Sequence, residues 1–109
     1  MSRSIIQNKE DHYCYLCSLL DGRAWQVAVL EEHHIMYGIR WRKKSERFGL
    51  KIYLCPEHHR TGKMAVHRDK DVRILTEQVA QYAFEKKYGH ERWMQEFGKN
   101  FLQIGRAHV

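Results

Sequence analysis

The sequence predicts a small α+β fold held together by a bound metal ion. Three observations predict it. Two β-rich segments each run directly into histidine or cysteine. The cysteines and one histidine fall into two short-spaced pairs. From Asp71 onward, apolar residues recur at helical spacing. The 109 residues suffice for one domain with one modest core. Apolar residues make up 43 % and charged residues 29 %, the balance of a globular chain rather than a disordered or membrane one. No stretch approaches the roughly 18 apolar residues of a spanning helix. The opening MSRSIIQNKEDHY has no apolar signal-type segment, so a cytoplasmic protein without membrane association is expected.

Residues 1–12 are polar and are expected to be disordered or frayed, with the folded domain over 13–102. Cys14-Tyr-Leu-Cys17 is a C-x2-C pair whose spacing suits a tight turn, and Leu19 to Gly22 lead into another turn. Trp25 to Leu30 (WQVAVL) reads as the first strand and enters Glu31-Glu32-His33-His34-Ile35. A basic loop through Gly38 follows. Lys43 to Phe48 suits a short helix stopped by Gly49. Leu50 to Leu54 (LKIYL) alternates and reads as the second strand, meeting Cys55-Pro56-Glu57-His58-His59 at once. A polar stretch with Gly62 and His67 leads to the long helix. There Val72, Leu75, Val79, Tyr82 and Ala83 form the apolar stripe, Asp69 or Asp71 caps the start and Gly89 ends it. His90 to Phe97 adds a short helix before Gly98. The tail 103–109 reads as foreign. Ile104 to Val109 back-translate as ATC GGA AGA GCA CAC GTC, a common sequencing-adapter stretch, so residues 104–109, His108 included, are left out of the functional reading.

Three cysteines are too few, and odd in number, for a disulfide scaffold. Zinc takes four soft or borderline ligands in a tetrahedron, usually as two short-spaced pairs. Cys14 with Cys17, and Cys55 with His58, supply those pairs and leave no cysteine over. With all four positions filled by protein, such a zinc is structural. A second constellation is His33-His34 with His59 and His67. Adjacent side chains on an extended backbone point to opposite faces, so one of the pair can bind a metal while the other faces a substrate. Phosphodiester hydrolysis needs an attacking water, a base for it and positive charge on the developing oxyanion. A divalent ion and a neutral histidine meet those needs.

Charge points the same way. Residues 31–70 hold ten of the nineteen Lys and Arg but five of the thirteen Asp and Glu, so this segment carries most of the net +6, together with five of the eight histidines. Arg40, Trp41, Arg42, Lys43, Lys44, Arg47, Arg60 and Lys63 interleave cations with an aromatic ring, a pattern suited to nucleic acid, with DNA the expected partner.

Over residues 14–88 the pattern Cys14-x2-Cys17, Glu32-His33-His34-Ile35, Gly49-Leu50, Leu54-Cys55-x2-His58-His59 and Val66-His67 resembles the HNH nuclease family, of the zinc-stapled type common in phage genomes. The resemblance implies a ββα-metal finger with a C-terminal helix. It implies a metal-dependent DNA endonuclease working in the cytoplasm of a phage-infected or prophage-carrying bacterium. His33 would be a ligand and His34 the general base. His59 and His67 would complete the site for a catalytic Mg2+, Mn2+, Ni2+ or Zn2+, beside the structural Zn2+. Two features depart from the family. Phe48-Gly49 stands where an Asn normally orients the base, leaving that role to a backbone carbonyl, Ser45 or Glu46. His59 and His67 are eight residues apart rather than four, so a loop through Gly62 must join them. The alternative reading is a catalytically weak zinc-finger protein that binds nucleic acid or assists recombination.

Overall fold

A computed structural model of the chain describes residues 3–23 and 25–103; the adapter-like residues 104–109, with His108, lie outside the described residues. The architecture is α+β. Helices α1 (Tyr15–Asp21), α2 (Trp41–Phe48), α3 (Lys70–Tyr88) and α4 (His90–Phe97) surround one antiparallel pair, β1 (Glu31–His34) and β2 (Lys51–Leu54). Among the described residues no helix is long and apolar enough to cross a membrane.

The first strand is not the apolar run Trp25–Leu30. That run makes an isolated bridge between Gln26 and Tyr13, and leaves Trp25 and Val29 largely in solvent. The strand is instead the charged Glu31–His34, because that is what β2 pairs with: Glu31 opposite Leu54, Glu32 opposite Tyr53, His33 opposite Ile52 and His34 opposite Lys51. Composition favours a strand, but the partner's register decides which residues become one.

A turn was expected at Cys14–Cys17; the structure makes it the start of α1. The Sγ of Cys14 accepts a hydrogen bond from the Cys17 amide at 3.4 Å, doing the work of a Ser or Asp cap. The helix ends on Gly22 in the left-handed conformation. The long helix starts where Asp69 accepts from the Val72 amide at 3.1 Å and stops at Gly89. Its buried face differs from the apolar stripe. Val72, Thr76, Glu77, Ala80, Gln81 and Phe84 are buried, whereas Tyr82 is exposed. Two of the polar members are bonded in place. Thr76 donates to the Arg73 carbonyl at 2.7 Å, and Gln81 accepts from the Phe101 amide at 2.7 Å while donating to Asn100 at 2.8 Å.

Residues 3–8, expected to be frayed, run along the free edge of β2. Ser4 donates to the Lys51 carbonyl at 2.6 Å, Gln7 accepts from the Tyr53 amide at 2.9 Å, and the Ile5 amide donates to the Gly49 carbonyl at 2.9 Å. Side chains thus satisfy an edge that would otherwise offer open backbone groups. The crossing needs glycine at position 49, which has φ +71° and where a Cβ would sit 2.2 Å from the Arg3 carbonyl oxygen.

One core runs from Leu16 through Ile35, Leu50, Ile52, Leu54 and Val66 to an aromatic cluster of Phe48, Phe84, Trp93, Phe97 and Phe101. Phe84 is fully buried, with ring centroids 5.2 Å from Phe48, 5.4 Å from Trp93 and 6.1 Å from Phe97. It ties α2, α3 and α4 together. Phe84→Ala is therefore expected to cost about 3–5 kcal/mol, read from denaturant unfolding of the purified protein; a loss below about 1 kcal/mol would contradict this packing.

Candidate functional site

Three side-chain clusters bring their ligand-type atoms within 4.8 Å of one another: Cys14, Cys17, Cys55 and His58; His33, His59 and His67; and Glu32, His34 and Glu46. The first joins the start of α1 to the end of β2 and the turn after it. The His58 Nδ1 lies 3.5 Å from the Sγ of Cys14, 3.4 Å from that of Cys17 and 3.5 Å from that of Cys55. A tetrahedral zinc with its usual Zn–S and Zn–N bonds sets such atoms about 3.5 Å apart. The donor set and its edges therefore fit a structural metal. Burial, then the neighbouring thiols Cys14 and Cys55, push the Cys17 thiol up to about 12. Burial likewise raises the Cys55 thiol.

The turn Glu57–Thr61 is a single π-helical turn, closed by the Gly62 amide donating to the Glu57 carbonyl at 2.8 Å. It sends adjacent histidines to different sites: His58 to the cysteines and His59 to His33 and His67. Gly62 then lets the chain double back. A Cβ there would meet the Glu57 carbonyl oxygen at 2.8 Å. The Val66 amide donates to the His58 carbonyl at 2.8 Å, which lays residues 66–67 beside 58–59. This is how His67 reaches His59 across eight residues, through the Gly62 loop that the sequence requires.

In the second cluster the Nε2 atoms of His59 and His67 are 3.2 Å apart, and the His33 ring centroid is 5.2 Å from that of His59 and 5.1 Å from that of His67. His33 is buried, and its Nε2 has no hydrogen-bond partner among the described residues. A buried nitrogen left unbonded is costly, and with the ring nitrogens of His59 and His67 it forms a set that could hold a metal ion. Burial, then the charges of His59, His67 and His34, lower the His33 pKa to about 3, so its ring is neutral and its lone pair free at ordinary pH. The Nδ1–H of His59 donates to the Glu31 carboxylate at 2.6 Å, which turns its Nε2 towards the cluster. That hydrogen bond, and after it Arg60 at 2.7 Å, hold the Glu31 carboxyl below the ordinary range against an opposing burial effect. His33 is buried, His59 half-buried and His67 exposed, so an ion here keeps open positions on the solvent side.

His34 leaves the other face of β1. Its Nε2 is 2.9 Å from Glu46 and 3.8 Å from Glu32. Lys51, almost fully buried, lies 3.2 Å from Glu46 and 3.3 Å from Glu32. Burial pushes the Lys51 pKa down, but the hydrogen bonds it donates to Glu46 and Glu32, with their charges, outweigh it and raise the value. Lys51 is thus the cation of this third cluster, which holds a histidine between carboxylates. An ionised carboxylate only accepts, so Nε2 of His34 carries the hydrogen towards Glu46 and Nδ1 is the nitrogen turned away from it. Ser45 is spoken for: it is buried, accepts from the Met36 amide at 2.9 Å and donates to the Met36 carbonyl at 2.8 Å. Of Ser45 and Glu46, Glu46 is the one in contact with His34. Glu46 is legible as a nearby carboxyl in the sequence; Lys51 is not, since a lysine on a strand normally reads as solvated.

Of the basic residues, Arg40, Arg42, Lys43, Arg47 and Lys63 are exposed. Lys44 is ion-paired with Glu96 at 3.3 Å, and Arg60 with Glu31 at 2.7 Å. Trp41 is half-buried, edge-on to Phe97 and Phe101 at 5.8 and 6.3 Å. No family model, curated protein or solved structure matches the chain, so function is argued from this geometry.

One tightly held zinc per chain is expected. Binding at pH 7 should release up to three protons from Cys14, Cys17 and Cys55, and the melting transition should collapse in strong chelator. Calorimetric titrations in buffers of different ionisation heat read the protons; no proton release, or a melt indifferent to chelator, would contradict the cysteine site.

Proposed function

We propose that the chain is a metal-dependent endonuclease of HNH type that hydrolyses phosphodiester bonds in DNA. The observation that carries this reading is the buried, unpartnered Nε2 of His33 facing His59 and His67, one residue from a histidine held by a carboxylate. The order β1, β2, α3, with the cysteine cluster at its base, suits a ββα-metal finger. A divalent ion held by His33, His59 and His67 would supply positive charge to a phosphodiester oxygen. The chain's own part is acid–base work and positioning. The Nδ1 of His34 takes the proton of the attacking water, while Glu46 holds the opposite nitrogen and fixes the tautomer. This is the role the family gives to Asn. The exposed Arg40, Arg42, Lys43, Arg47 and Lys63 hold the DNA backbone through charge, with little preference for sequence.

The second reading, a zinc-finger protein that binds nucleic acid without cleaving it, is favoured by Phe48-Gly49 at the Asn position. One set of variants separates the two. His34→Ala should leave DNA affinity and metal content unchanged and slow cleavage in Mg2+ or Mn2+ by roughly 10²–10⁴-fold. His33→Ala should raise the ion concentration needed for half-maximal cleavage. Equal cleavage by wild type and His34→Ala, or no cleavage by wild type with any divalent ion, hands the protein to the second reading.

A further inference from the structure

Between the start of α2 and the middle of α3 the surface opens into a cavity of about 310 Å³. Tyr37 and Trp41 form part of its wall, Lys70, Arg73 and Lys99 line it too, and the Arg73 guanidinium lies 5.8 Å from the Tyr37 ring centre. Glu77 also lines it and is 5 % exposed. Burial raises the Glu77 pKa, and the opposing charges of Arg73 and Lys99 do not cancel that effect. Arg73 acts electrostatically on both Glu77 and His67, so the cavity and the histidine cluster are neighbours.

We propose that this cavity binds one nucleotide, its base against Trp41 and Tyr37, a base amino group donating to Glu77, and its phosphate held by Lys70, Arg73 and Lys99. Aromatic faces stack bases of any identity, and surrounding cations attract phosphate. The carboxylate adds selectivity, because it accepts from an amino group such as the cytosine N4 and repels the carbonyl that thymine places there. The volume lies at the low end of small-ligand sites, matching one nucleotide rather than a larger molecule. An acidic peptide would suit the cations but not Glu77. The inference rests on the nucleic-acid side of the proposed function and is independent of cleavage.

The test is binding by the full zinc-loaded chain, with no other divalent ion added. Short single-stranded oligomers of deoxycytidine and of thymidine are titrated, and so are free dCMP and TMP. The cytidine ligand is expected to bind roughly tenfold tighter than its thymidine counterpart or better. Glu77→Gln, which replaces one acceptor with a donor, should abolish or reverse that preference with the melting temperature unchanged. Trp41→Phe keeps a ring against Phe97 and should weaken both ligands alike. An oligomer that outbinds the mononucleotide assigns the cavity to a strand, and equal affinities assign it to a free nucleotide. Equal binding of cytidine and thymidine ligands by wild type, or an undiminished preference in Glu77→Gln, overturns the proposal. Neither result depends on whether the protein cuts DNA.

Discussion

Everything functional in this chain hangs on the convergence of Cys14, Cys17, Cys55 and His58. Two strands of four residues bury too little to hold a register by themselves. The cysteine cluster adds a constraint of a different order. A metal ion there would fasten α1, the end of β2 and the turn Glu57–Thr61 at one point, and a structural zinc in such a site would contribute about 10–16 kcal/mol of apparent binding energy to folding. With that turn fixed, His58 and His59 are fixed too. One closes the first cluster and the other opens the second, so the structural site aims the candidate reactive one.

The β-pleat divides the remaining chemistry. Residues opposite one another in the ladder share a face, so Glu31 and His33 look towards the turn while Glu32 and His34 look towards Lys51 and Tyr53. On one side three histidine rings gather around a nitrogen that has no partner among the described residues. On the other a buried lysine balances two carboxylates that hold a histidine. The two sides differ electrostatically: on the first Arg60 pairs with Glu31 behind the rings, and on the second Lys51 stands between the carboxylates that flank the histidine. That contrast is why His33, His59 and His67 read as ion ligands, and why Glu32, His34 and Glu46 do not, although all six side chains are of ligating type.

Much of this was legible in the sequence, for physical reasons. The Cys and His pairs carry their meaning in spacing, and spacing survives folding. Opposite faces for His33 and His34 follow from strand geometry alone. The Gly62 loop follows from the need to bring His67 back. What failed was whatever depends on a distant partner. Trp25–Leu30 has strand composition but no four-residue partner, so the strand moved to Glu31–His34. Helix α1 hid because a cysteine caps it. The buried face of α3 was misplaced because Thr76 and Gln81 look polar until Arg73, Asn100 and Phe101 are known to satisfy them. Lys51 hid for the converse reason: only its neighbours Glu32 and Glu46 explain a buried ammonium.

The central claim is that one ion joins three sulfurs and one ring nitrogen. X-ray absorption at the zinc edge, on protein carrying a single equivalent, tests it most directly. The account predicts a shell of three sulfurs at about 2.3 Å and one nitrogen at about 2.0 Å. A shell built only of nitrogen and oxygen would mean that the tightly bound ion prefers the histidine cluster, and would contradict the account.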